Sequence, residues 1–226
     1  MILLVSLESQ YTMKTLTKPQ AENYMILYPI SWETFGRMSE ELSENSAKRL
    51  TYDGEYLQIM SPLVEHENNN WFISRLIFIM AEELDLNIKS VGSLTLKRDD
   101  IKKGIEPDAC FYLKNEPLVR NKQYIDLNKG DVAPDLAIEI DITSGSLDKF
   151  PIYAALGVEE IWRYDGQVLR FYGLNKNREI YEEMSKSIAF PKLDIALIPQ
   201  WLEQRLIIGE TAVLKQVRKW VKEQKN

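Results

Sequence analysis

The chain has 226 residues, 45% of them apolar, with five Trp and eleven Tyr, enough for one sizeable folded domain with or without an appendage. A single cysteine (Cys110) and a single histidine (His66) exclude an intramolecular disulfide, a cysteine-built zinc cluster and a multi-histidine metal site. Any metal must therefore rest mainly on carboxylates, which points to a hard cation such as Mg²⁺, Mn²⁺ or Ca²⁺. The net charge of −6 argues against a broad, non-specific nucleic-acid binder but leaves room for a local basic groove.

In chain order, Met1 to Leu7 is apolar but lacks a basic leader and a small-residue cleavage pattern, so it does not read as a signal peptide. Met13 offers an alternative start, and residues 1–30 read as a partly flexible extension. Ser31 is a plausible N-cap for a short helix. Lys48–Thr51 and Glu55–Met60 flank Asp53-Gly54 and predict a hairpin that Ser61-Pro62 terminates. Glu65 to about Leu86 predicts a long helix with Trp71, Phe72, Arg75, Leu76, Ile79 and Met80 at helical spacing. Its most apolar part carries charges and is too short to span a bilayer, so the expectation is a cytoplasmic protein with no membrane contact.

Three strand-like runs follow, Ile88–Leu96, Pro107–Leu113 and Asp135–Thr143. A polar loop with Asn115, Asn121, Asn128 and Gly130 separates the last two. Pro151–Leu156 belongs to a helix. Glu160–Tyr164, Val168–Leu174 and Glu179–Met184 read as a closing meander with turns at Asp165-Gly166 and Asn175–Asn177. Pro199–Leu206 is a short helix. Residues 210–225 form an amphipathic helix, with Val213, Leu214, Val217, Trp220 and Val221 on one face. Its Lys and Arg residues suit either a solvated face or a nucleic-acid contact. The domain expectation is a core over 31–206 followed by this helix at 207–226.

The run Asp135-Leu-Ala-Ile-Glu-Ile-Asp-Ile142 carries the first chemical signal. Alternation sends Leu136, Ile138, Ile140 and Ile142 to one face and Asp135, Ala137, Glu139 and Asp141 to the other. In the neighbouring run, Glu106 and Asp108 share a face. If the two strands pair, Asp108 and Glu139 come within reach of one cation, which would relieve the repulsion between adjacent carboxylates. The alternative is a solvated acidic face that blunts edge aggregation.

A lysine in an unusual place adds to this. Proline is tolerated only in the first turn of a helix, so Pro151 sets a helix start near Leu147 or Asp148, with Asp148 as N-cap. Lys149 then sits in the first turn, against the helix dipole. Its side chain leans back toward the strand end that bears Glu139 and Asp141. An ammonium beside a metal–carboxylate cluster suits charge stabilisation on a phosphate. An exposed lysine paired with a nearby acid is the competing reading.

These residues resemble the PD-(D/E)XK nuclease superfamily and, more closely, the Uma-type restriction endonuclease family. The matching stretches are Ile59-Met-Ser-Pro62 with His66, Glu106-Pro-Asp108, Pro134 to Ser144, and Lys149 to Val158 leading to Ile161-Trp162. The resemblance spans about Ser31 to Leu202. It implies an α+β, restriction-endonuclease-like fold, with a mixed β-sheet flanked by helices and a Mg²⁺ site that Mn²⁺ could also fill. Asp108 and Glu139 become the metal ligands. The position two after Glu139, where the motif has lysine, holds Asp141, which either adds a ligand or disturbs the site. Lys149 is the candidate to supply the missing ammonium. His66 reads as a structural hydrogen-bonder or an accessory to catalysis, and Glu106 as an accessory or further ligand.

The expected function is Mg²⁺-dependent hydrolysis of DNA phosphodiesters, with Asp108, Glu139 and Lys149 as the catalytic set and a homodimer as the working form. The alternative is a degenerate nuclease fold that binds nucleic acid or protein without catalysis. A two-carboxylate glycoside hydrolase is a third class, which the lysine does not favour.

Overall fold

The computed structural model describes residues 23–43, 48–142, 147–175, 177 and 179–225. The apolar run at 1–7, the alternative start at Met13, and Thr143-Ser144 at the end of the acidic motif lie outside the described residues. The elements run β1 (Asn23–Leu27), α1 (Trp32–Ser43), β2 (Arg49–Tyr52), β3 (Leu57–Ser61), α2 (Val64–Glu83), β4 (Lys89–Gly92), β5 (Leu96–Arg98), β6 (Lys103–Ile105) and β7 (Ala109–Tyr112). They continue with α3 (Glu116–Val119), a 3-10 turn at Leu127–Lys129, β8 (Leu136–Ile140), α4 (Phe150–Leu156), β9 (Glu160–Tyr164), β10 (Leu169–Leu174), β11 (Tyr181–Met184), α5 (Leu197–Ile208) and α6 (Glu210–Lys225).

Two sheets result, ordered β1-β3-β2-β6-β5 and β11-β10-β9-β8-β7-β4. The five-stranded sheet is antiparallel throughout. The six-stranded sheet is mixed: β8 and β9 run parallel and its other pairs run antiparallel. This is an α+β fold consistent with a restriction-endonuclease-like domain. The parallel pair needs a crossover, and α4 supplies it.

Strand alternation sorts the core. Leu136, Ile138 and Ile140 join Ala109, Phe111 and Trp162 on one face, where α2, α5 and α6 cover them. Ala137, Cys110 and Ile161 lie on the other face, against Ile152, Tyr153 and Leu156 of α4 and Leu96 and Ile105 of the second sheet. The strand β8 is buried on both faces, as expected of a central strand covered by helices. A third cluster packs Phe35 of α1 on Leu50, Tyr52 and Leu57 of the five-stranded sheet. On α6, Val213, Leu214, Val217 and Val221 are buried in the main cluster, while Arg218 and Lys222 pair with Glu83 of α2.

Several expectations need correction. The run Ile88–Leu96 is not one strand: β4 pairs with β7 in one sheet and β5 with β6 in the other. Gly92, with φ +61°, permits the turn between them. The last part of the expected N-terminal extension, Asn23–Leu27, is an edge strand paired with β3. The strand β6 has no clear sequence signal, being three residues that include Gly104. On α2 the buried stripe runs through His66, Asn70, Phe72, Ile73, Leu76, Ile77 and Met80, whereas Trp71 is exposed and stacks with Arg75. The helix α4 begins at Phe150, so Lys149 is its N-cap rather than a first-turn residue. Asp148 instead accepts the Phe150 N–H at 3.1 Å.

Candidate functional site

The pairing of β7 with β8 brings the two principal acids together. Ala109 faces Ile138 at the end of the antiparallel register, and Asp108, the residue before it, accepts the Ile140 N–H and acts by its charge on Glu139. By alternation Glu139 projects with Ala137 to the α4 side of the sheet, while Asp108 reaches across to β8 from the connection just before β7. Both are almost wholly buried, each 3% exposed, so the solvated-face alternative does not describe them.

Each carboxylate is engaged by neighbouring groups. Asp108 Oδ2 accepts the Ile140 N–H at 2.8 Å. Its Oδ1 lies 2.8 Å from His66 Nε2 on the first turn of α2 and 3.7 Å from Arg49 Nε on β2. Asn70, one turn along α2 from His66, donates from Nδ2 to the Asp108 carbonyl at 2.9 Å. Glu139 Oε2 pairs with the Lys149 ammonium and Oε1 accepts the Tyr153 hydroxyl. Lys149 therefore leans back from the start of α4 to the strand.

The electrostatics separate the two acids. Burial raises Asp108, but its hydrogen bond and charge interaction with His66 and the nearby Lys149 outweigh this and hold it below the usual range. Burial raises Glu139, with Lys149 opposing the shift and the Asp108 charge adding to it. Burial alone would lower Lys149, yet Glu139 and Asp108 raise it well above the ordinary lysine range, so it stays charged. Adjacent carboxylates driven apart in this way, beside a permanent cation, are a pattern of functional sites.

Other candidates take different places. Glu106 points toward the second sheet, where Oε2 accepts the Leu50 N–H at 3.0 Å and Oε1 the Thr95 hydroxyl at 2.7 Å. It links β2 to the segment before β5. Asp141 lies beyond the end of β8 and pairs with Arg163 of β9, whose Nε is 3.1 Å away. Asp135, at the other end of β8, accepts the Leu113 and Asn115 N–H groups at 2.7 and 2.9 Å and holds a loop. Glu67 pairs with Arg49 at 3.2 Å. Cys110 is buried, which pushes its thiol up to about 12, so it offers no thiolate nucleophile.

Three side chains at the site were not singled out from sequence: Arg49, Asn70 and Tyr153. Tyr153 had an available signal, because Lys149 and Tyr153 are spaced i and i+4 and share one helix face. Arg49 and Asn70 had none, since their role depends on which strand lies beside Asp108.

Asp108 and Glu139 are the residues that could hold a shared cation. Among the described residues no group of three or more His, Cys, Asp or Glu side chains converges as a ligand set. Two carboxylates with the remaining positions left to water and substrate oxygens is the habit of Mg²⁺, so the donor set fits that ion. Asp108 Oδ2 and both Glu139 oxygens already accept hydrogen bonds and Asp108 Oδ1 lies against His66, so coordination would exchange part of the Lys149 or His66 contact for the metal.

Among the described residues no helix is long and apolar enough to cross a membrane. Comparison with curated proteins finds no match. A family model described as "Uma2: Putative restriction endonuclease" matches residues 32–204, a span that contains every site residue named above. That match covers well over half of the chain, and the protein therefore belongs to the Uma2 family, a nuclease-type family with a restriction-endonuclease description.

Proposed function

We propose that this protein is a Mg²⁺-dependent endonuclease that hydrolyses DNA phosphodiester bonds. The observation that carries the reading is the juxtaposition of the buried Asp108 and Glu139 carboxylates with a charged Lys149.

Asp108 and Glu139 would hold the cation, with Mn²⁺ an acceptable substitute. The chemistry such an ion supplies is acidification of a water and polarisation of the phosphate. Lys149 contributes a fixed positive charge for the oxygens on which negative charge builds. His66 and Asn70 hold Asp108 from its side chain and its carbonyl, and Arg49 adds a second cation beside it. Asp141 is engaged by Arg163, so the reading leaves metal binding to Asp108 and Glu139. A symmetric pair of copies would serve the two strands of a duplex, and sedimentation over a concentration series checks that part.

The purified protein incubated with DNA and Mg²⁺ or Mn²⁺ tests the reading. Expected is cleavage that Glu139→Ala abolishes. No cleavage of any DNA, or cleavage undiminished in the variant, overturns it.

A second reading is a non-catalytic module that binds nucleic acid or protein. Asp141 at the motif lysine position, paired with Arg163, favours it. Calorimetry separates the two, because a degenerate site shows no metal binding that depends on Asp108.

A further inference from the structure

The buried tyrosines with assigned hydroxyl bonds fall into two groups. The single hydroxyl hydrogen of Tyr52 is shared between the carbonyls of Ile30 and Gly54, Tyr112 donates to that of Val132, Tyr164 to that of Gly166, and the partly buried Tyr181 to that of Val158. These are structural uses of a phenol, in which a ring fills a core and its tip satisfies a loop carbonyl. Tyr153 differs: its hydroxyl donates to Oε1 of the Glu139 carboxylate.

The local geometry explains how. Tyr153 follows Lys149 by four residues, so the two side chains project from successive turns of one helix face and lean toward the same helix end. One clamps Oε1 of Glu139 and the other Oε2. The ring itself is wholly buried, in a cluster with Cys110, Ala137, Ile152, Leu156 and Ile161. A phenylalanine would satisfy that apolar cluster. A buried hydroxyl costs free energy unless it is hydrogen-bonded, so its presence here is explained by the carboxylate it meets. Burial first, then the Glu139 charge, raises the phenol far above its ordinary range, so it acts as a neutral donor and not as a base.

From this we infer that Tyr153 is a positioning residue for the metal-binding carboxylate, holding Glu139 in the orientation in which it shares a divalent cation with Asp108. The inference rests on the nuclease reading through Glu139. Hydrogen-bond partners that orient a ligating carboxylate typically change metal affinity by about 10–100-fold when removed.

The test uses Mn²⁺ alone, without DNA, titrated into the full-length protein and followed by the electron paramagnetic resonance signal of the free aqueous ion. Expected is a weakening of Mn²⁺ binding by about tenfold or more in Tyr153→Phe, with Ile152→Val, a buried neighbour on the same helix, unchanged. In a Glu139→Gln background Tyr153→Phe should have no further effect. Wild-type affinity in Tyr153→Phe, or equal weakening by Ile152→Val, overturns the inference while leaving the nuclease reading intact. Absence of Glu139-dependent Mn²⁺ binding in the wild type overturns both. If Tyr153→Phe does not fold, 3-fluorotyrosine at position 153 carries the test. Its fluorine resonance should move on Glu139→Gln, and an unmoved resonance overturns the contact.

Discussion

Asp108 accepts the backbone N–H of Ile140 at 2.8 Å, so the side chain of one candidate ligand closes the ladder of the strand that carries the other. Its two roles can be separated by substitution. Asp108→Ala leaves a buried N–H without an acceptor and should destabilise the fold by about 1–3 kcal/mol. Asp108→Asn retains an acceptor for Ile140 but removes the charge. Urea unfolding should therefore show Asn closer to wild type than Ala, while both variants lose metal-dependent cleavage. An Asn variant that cuts DNA at the wild-type rate would contradict the assignment.

Lys149 is proposed to act on the substrate's charge rather than to bind metal. Lys149→Met should reduce single-turnover cleavage by about 10²–10³-fold, the range seen when a donor aimed at developing charge is removed. Mn²⁺ binding should persist, because the variant frees Oε2 of Glu139. Loss of both together would assign Lys149 to the architecture of the site alone.

Glu160 offers a pH test away from the site. It is 1% exposed and accepts N–H groups from Trp162 and Ala189, each at 2.8 Å. Burial nevertheless raises it above the ordinary value of 4.5, against the hydrogen bonds from Ser187 and Trp162. A carboxyl whose folded value lies above its unfolded value contributes its full stability below the unfolded value and loses it as pH rises through the folded one. Glu160→Gln removes the charge but turns one accepting oxygen into a donor that faces the Trp162 or Ala189 N–H. The variant should be less stable than wild type in urea unfolding near pH 4, and the difference should shift in its favour toward pH 7.5. A gap that is constant with pH would show that ionisation of Glu160 carries no cost.

Gly104 sits where β6 passes under α1. A Cβ there would come within 2.4 Å of the Phe35 ring, which is fully buried. Gly104→Ala should cost about 1–3 kcal/mol, the usual cost of overpacking. Thermal unfolding of the variant reads this directly, and an unchanged midpoint would mean that Phe35 repacks freely.

Much of this architecture was legible in the residues. The Asp53-Gly54 hairpin, the long helix α2, the closing meander β9–β11 and the terminal helix α6 all follow from local periodicity and turn chemistry. So does the face of β8 that carries Glu139. What misled was the apolar run at residues 88–96, whose composition suits a strand throughout but whose halves serve different sheets. The expected link between Glu106 and Asp108 failed for a similar reason. Pro107 and the two residues beside it form a connection between β6 and β7, so strand alternation does not apply across them.

The division has a physical cause. Side-chain alternation in a strand and the spacing of a helix are set by bond geometry within a few residues. The sequence alone therefore determined that Glu139 opposes Ile138 and Ile140, and that Pro151 confines Lys149 to the start of a helix. Which strand lies beside which depends on where apolar faces find burial across long stretches of chain. Only the tertiary structure could bring Asp108 to the end of the strand that carries Glu139, bring His66 and Arg49 to the first acid and Tyr153 to the second, and turn Asp141 to Arg163.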